Sequence, residues 1–172
     1  MQEIILGGGC FWCTESVFLA VKGVDSVTSG YAGGQAETAD YESVCSGQTG
    51  HVEVVKVVYD EQVIDLSNIL DIFFAMHDPT TLNRQGNDIG TQYASVIFYT
   101  DEADLPIIND KIAMLKADGI NVVTRVEKAP AFYQAEDYHQ NFFAKNPTQG
   151  YCNFAIAPKL QKLKAGFSTL LK

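Results

Sequence analysis

The stretch HVEVVKVVYD, residues 51–60, constrains the fold more than any other part of the chain. It is rich in β-branched residues with period-two character, so it reads as a strand and asks for a sheet around it. EIIL near the start reads as a short buried strand, and residues 11 to about 21 turn helical, with Phe11, Phe18 and Val21 on one side. VDSVTSGYAGG is a second strand ending in turn chemistry. Beyond the central strand, Leu66, Ile69, Leu70 and Phe73 fall at helical spacing, with Asp65 or Ser67 as the cap. ASVIFYT is a further strand, and LPIINDKIAMLKADG is a helix with Leu105, Ile108, Ile112 and Leu115 inward, stopped by Gly119. NVVTRVEK closes the strand series, while AEDYHQNFFAK and PKLQKLKAGFSTLL read as helices.

The first six elements therefore run strand, helix, strand, strand, helix, strand. That order predicts an α+β, ferredoxin-like (split βαβ) sandwich, with helices against a mostly antiparallel sheet. A thioredoxin-like topology is the main rival. Residues 31–50 and 77–92 carry little periodicity, and loops of that length in a compact chain usually have a function. No repeat, low-complexity tract or proline-rich linker divides the 172 residues, so one domain over residues 1–172 is expected.

Twelve basic against 21 acidic residues make an acidic surface, which argues against nucleic acid or anionic membrane as partners. No apolar run reaches the roughly 18 residues of a membrane span, and no basic segment followed by an apolar one opens the chain. A cytoplasmic, monomeric protein is the expectation. In a reducing compartment the four cysteines, Cys10, Cys13, Cys45 and Cys152, are better read as redox thiols than as structural bridges. Cys10 and Cys13 offer half of a zinc site, but no second CxxC or close histidine pair completes it.

The segment GGGCFWCTE carries the chemistry. A strand, a glycine turn and a helix place Cys10 at a helix N-terminus, where unpaired N–H groups and the helix dipole favour an anion. Such a position lowers a thiol pKa from ~8.5 toward roughly 3.5–7.5 and marks a nucleophile. A buried, inert cysteine does not call for three glycines before it. Phe11 and Trp12 point some ~100° apart on a helix, so one of them lines a pocket beside the thiol, suited to a small apolar group.

These residues resemble the peptide methionine sulfoxide reductases of the A type. GCFW is followed by YESVCSGQTGHVEVV, HDPTTLNRQGNDIGTQY, AEDYHQNFF and NPTQGYCNFAIAPKL, in that family's order and over nearly the whole chain. The resemblance implies that Cys10 attacks the sulfoxide sulfur while Phe11 and Trp12 hold its methyl group. It makes Glu53 the acid that protonates the oxygen, which suits a buried carboxyl whose pKa is raised. Tyr41 and Tyr93 match hydroxyls that hydrogen-bond the oxygen, Asp88 an aspartate that orders the site, and His139 a histidine at its edge. Glu15 and Cys45 are read as structural. The resemblance further implies a sulfenic acid on Cys10, a disulfide with a second thiol, and reset by a dithiol such as thioredoxin, with no other cofactor. As substrate it implies methionine sulfoxide, free or protein-bound, as the S epimer.

Two positions depart from the family's pattern. Cys13 stands where glycine is more common and completes CFWC, one helical turn from Cys10 and within bridging reach. Cys152 matches a resolving position, so either thiol, or a relay between them, can follow Cys10; Cys152 is the favoured resolver. Ala94 replaces the arginine usual after GTQY. The competing enzyme reading is a thioredoxin-like CxxC thiol–disulfide oxidoreductase built on Cys10 and Cys13. A redox-sensing or metal-binding module is the non-enzymatic one.

Overall fold

The computed structural model describes residues 1–146, 148–150 and 152–172, the side chains of Cys152 and Asn153 excepted. The elements are β1 (Gln2–Gly8), α1 (Phe11–Leu19), β2 (Val24–Ala32), α2 (Tyr41–Cys45), β3 (Val52–Tyr59) and α3 (Leu66–Met76). They continue with β4 (Arg84–Gln85), β5 (Asp88–Ile89), β6 (Ser95–Tyr99), α4 (Leu105–Ala117), β7 (Arg125–Lys128), β8 (Phe132–Gln134), α5 (Phe142–Lys145) and α6 (Ala157–Phe167). The main sheet is mixed, in the order β7-β6-β1-β3-β2-β8. All neighbours are antiparallel except β6 and β7, which run parallel.

Period two sorts the strand residues onto two apolar faces. Ile4, Leu6, Val55, Val57 and Ile97 join Phe11 and Phe18 of α1 and Ile69, Leu70 and Phe73 of α3 in the main core. Ile5, Val52, Val54, Val96 and Phe98 form a smaller cluster on the opposite face, closed by Ala129 and Phe132. Both faces being covered explains why β3 reads as an almost unbroken apolar run.

Asp65 is the cap of α3 and accepts from Asn68 N at 2.8 Å. At the far end of α4, Gly119 takes φ +87° while Gly119 N and Ile120 N bond back to Lys116 O and Leu115 O, the expected glycine stop. The expected helix across AEDYHQNFFAK is corrected. It is a single turn, Asp137–His139, broken from α5 by Asn141 at φ +55°. Its start is stitched to β2 instead: Ala135 N donates to Ser29 O at 2.9 Å, and the Gln140 side-chain amide both donates to Ser29 O and accepts from Ser29 N.

A candidate active site around Cys10

Each of the three glycines sits where a side chain has no room. A Cβ on Gly7 meets Val96 Cγ1 at 2.8 Å, one on Gly8 meets the His77 ring at 3.0 Å, and one on Gly9 meets Gln85 at 2.8 Å. Gly9 also holds φ +100°, a conformation that L side chains rarely adopt. Gln85 is pinned in turn, its Oε1 accepting from Asp78 N at 2.9 Å. The glycines let β1 run against its neighbours and then turn sharply into α1, delivering Cys10 to the N-cap position. Gly9→Ala is expected to cost about 2 kcal/mol or more, through backbone strain and a steric clash together. A urea midpoint unchanged from the parent would show that this turn tolerates the side chain.

Cys10 lies half-buried at the head of α1, and its thiol is hydrogen-bonded to that of Cys13, which is buried. Glu53 reaches the same helix end from the centre of the sheet. Its side chain is 1% exposed, and its Oε1 accepts from Phe11 N at 3.2 Å. Burial pushes the Glu53 carboxyl up to about 8 against the pull of the Phe11 N–H, with Asp88 and Cys13 nearby adding to the rise. It is therefore protonated at neutral pH. The lowered thiol pKa expected for Cys10 is corrected: burial, the hydrogen bond to Cys13 and the neighbouring Glu53 raise it well above its ordinary value. The helix N-terminus is present, but desolvation outweighs it.

The adjacent aromatics divide as the 100° helical step requires. Phe11 is wholly buried, between Tyr31 at 5.6 Å and His139 at 5.1 Å, so its ring belongs to the core behind the site. Trp12 is the one at the surface. Its Nε1–H donates to His139 Nδ1 at 2.9 Å, and its ring stacks on Phe142 at 3.8 Å. That bond requires a neutral His139, and burial lowers the imidazole pKa accordingly.

The two aperiodic segments bring in the remaining residues. The first carries Tyr41 at the start of α2, with its ring 4.4 Å from His139 and 6.3 Å from Trp12. The second carries Asp88 on the β4–β5 hairpin and leads directly into Tyr93, the last residue of the turn Thr91–Tyr93. Burial raises the pKa of both tyrosines, with Glu53 contributing to each, so their hydroxyls stay protonated as donors. Cys45 is exposed yet hydrogen-bonded to the Tyr41 hydroxyl, which places it nearer the site than a structural role suggests. Glu15 is buried and accepts from Ser29 Oγ at 3.3 Å, away from the thiol. A cleft of about 850 Å³ opens beside Cys10 and Cys13 and is bounded by Gln85, Asp88, Phe154 and Lys159.

Cys152 opens the short turn Cys152–Ile156, and its side chain lies outside the described residues. Among the described residues, no group of three His, Cys, Asp or Glu side chains is disposed to hold a metal ion. None of their helices is long and apolar enough to cross a membrane. Sequence reasoning missed Glu136, whose carboxylate joins Tyr31 to Tyr41, and Phe142, which covers Trp12. Both lie within AEDYHQNFF, a segment the resemblance had flagged without assigning these two positions.

A half-buried thiol, a protonated buried acid and two phenolic donors around one point can deliver a nucleophile and a proton to a polar S–O or C–O bond. Comparison with known proteins narrows that choice. The sequence model of the family described as "Peptide methionine sulfoxide reductase" matches residues 2–170. "Peptide methionine sulfoxide reductase MsrA" of Psychrobacter cryohalolentis is 66% identical over 168 residues, covering 98% of this chain and 97% of the relative. Among solved structures, Mxr1 from Saccharomyces cerevisiae in reduced form superposes with a TM-score of 0.81 at 38% identity, covering 87% of each chain. The same yeast protein in complex with Trx2 gives a TM-score of 0.56 at 25% identity, covering 82% of this chain and 84% of that one. With a match of this length and identity behind the geometry around Cys10, the chain belongs to the peptide methionine sulfoxide reductase family.

Proposed function

We propose that the chain, acting as one catalytic domain, reduces the S epimer of methionine sulfoxide, free or within proteins, to methionine. The observation that carries this reading is the protonated, buried Glu53 held against the first turn of α1 beside Cys10. Cys10 sulfur attacks the sulfoxide sulfur while Glu53 gives its proton to the oxygen. The hydroxyl passes to Cys10 as the S–O bond breaks, methionine leaves, and Glu53 recovers the proton that the thiol gave up. Cys10 then carries a sulfenic acid. Hydroxyls of Tyr41 and Tyr93 hold the oxygen, Asp88 orders their surroundings, and Trp12 faces the methyl group with Phe11 behind it and His139 fixing the indole.

A second thiol next attacks Cys10 sulfur, water leaves, and a disulfide forms. Cys152 is the favoured partner for this step, as the resemblance implies, and Cys13, hydrogen-bonded to Cys10, is the alternative first partner. From Cys13, Cys152 can take the bridge over by exchange. A dithiol protein of the thioredoxin type then restores both thiols, a reading supported by the solved complex of the related yeast protein with Trx2. No bound cofactor is needed, because the thiols supply the electrons. One copy of the chain carries every group named, which favours a monomer, and thiols that must stay reduced favour the cytoplasm. The ferredoxin-like reading is supported by the order β6-β1-β3-β2 with each neighbouring pair antiparallel, as a split βαβ unit requires.

A single turnover without reductant tests the proposal. Reduced protein is mixed with methionine sulfoxide, and methionine and cysteine linkages are quantified by mass spectrometry. Methionine is expected to form in step with a disulfide containing Cys10. Absence of methionine, in a protein that readily exchanges disulfides with other thiols, would replace the reductase with a CxxC oxidoreductase.

A further inference from the structure

We infer that Glu136 is a positioning residue for Tyr41: its carboxylate ties the first residue of α2 to the buried core and so sets where the Tyr41 hydroxyl stands. This rests on the reductase reading only in giving that hydroxyl to the sulfoxide oxygen. Glu136 Oε1 accepts from the Tyr31 hydroxyl at 2.8 Å, and Oε2 accepts from Tyr41 N at 3.0 Å. Tyr31 is wholly buried, in ring contact with Phe11, so one end of this bridge is immobile. The other end needs fixing. Helix α2 has five residues, too few to hold its own geometry. Its cap Asp40 accepts from Ser43 N at 2.8 Å, and the Tyr41 N–H goes to Glu136 instead.

The carboxylate is itself held in place. Burial raises its pKa, but the Tyr41 N–H and the Tyr31 hydroxyl more than offset this and hold it below the usual carboxylate range. The bonds are thus charge-assisted and stronger than neutral ones. Ala135 and Gln140, on either side, are bonded to the backbone of Ser29 in β2. The same six residues, 135–140, supply His139 to the Trp12 indole. One stitched segment therefore orients the methyl-facing ring through His139 and the oxygen-facing hydroxyl through Glu136.

Glu136→Ala is expected to lower kcat for methionine sulfoxide by about tenfold with KM changed less than about threefold, the signature of a misplaced group rather than a lost binding contact. Glu136→Gln should retain most of the activity. Its amide oxygen can accept from Tyr41 N while the Tyr31 hydroxyl turns to accept from the amide nitrogen. In a Tyr41→Phe background, Glu136→Ala should add nothing further, because the effect runs through that hydroxyl. Trp12 is the only tryptophan and stacks near Tyr41, so its emission should shift in Glu136→Ala and in the shorter Glu136→Asp. That readout serves even where one variant folds poorly or turnover is absent. Equal losses from Glu136→Ala with and without Tyr41, or unchanged Trp12 emission in folded Glu136→Asp, would overturn the inference. A wild-type protein that forms no methionine while both variants shift Trp12 emission would sink the reductase reading and leave the positioning role standing.

Discussion

Glu53→Gln lowers the single-turnover rate of methionine formation by roughly 10²–10⁴-fold, the range expected for losing a general acid. Glutamine keeps the shape and can still accept from Phe11 N through its oxygen, as Glu53 Oε1 does at 3.2 Å. What it lacks is a proton to give. In the parent protein the rate should fall as pH rises through about 8, where the Glu53 carboxyl ionises, and the fall should vanish in the glutamine variant. Stability also falls as pH rises, over a lower range. A carboxyl whose folded-state pKa is raised binds its proton more tightly folded than unfolded, so it favours folding least above the folded value. The parent therefore loses stability from about pH 4.5, the ordinary carboxyl value, up to about 8. Glu53→Gln is expected to melt at a higher temperature than the parent above pH 8, and to be far less active everywhere below it. A variant with parental rates would remove Glu53 from the reaction; one with a parental pH–stability profile would show that its carboxyl is not desolvated.

Phe11→Ala should cost about 3–5 kcal/mol of folding stability, the range for deleting a fully buried aromatic ring. The ring is 0% exposed and packs between Tyr31 and His139, so its loss leaves a cavity that the sheet behind it cannot close. Against a typical stability of about 5–15 kcal/mol, that is a large fraction of the total. Trp12→Ala, by contrast, removes a partly buried ring that is stacked on Phe142 and bonded to His139, and should act mainly on activity. Chemical denaturation of the two variants, set beside their turnover, separates the wall of the site from the core that supports it. Similar destabilisation in both would mean that the two rings share one structural role.

These neighbours also mark where sequence reading stops. That Phe11 and Trp12 diverge follows from helix geometry, but which one faces inward depends on Tyr31, His139 and Phe142, which lie 20, 128 and 131 residues after Phe11. Period two in HVEVV similarly revealed that Glu53 opposes Val52 and Val54, while its burial came only from α1 lying over that face. The strands were legible because β-branched residues mark them. The short α2 and the β4–β5 hairpin were not, because elements of a few residues carry no period and are held by contacts elsewhere. Asn141 defeated the helix reading across AEDYHQNFFAK for the same reason: Gln140 prefers the backbone of Ser29 to a helical turn.

The position of β1 in the middle of the sheet has a kinetic side. Its partners are β3 and β6, and the pairing of Gly8 with Ser95 spans 87 residues of chain. At a synthesis rate of about 5–20 residues per second, those residues emerge roughly 4–17 s after the strand itself. Glu53, on β3 and only 43 residues after Cys10, emerges sooner, but until β6 follows β1 has only one of its two neighbours. The site is thus assembled in stages, and the centre of the sheet, with β1 between β3 and β6, closes last.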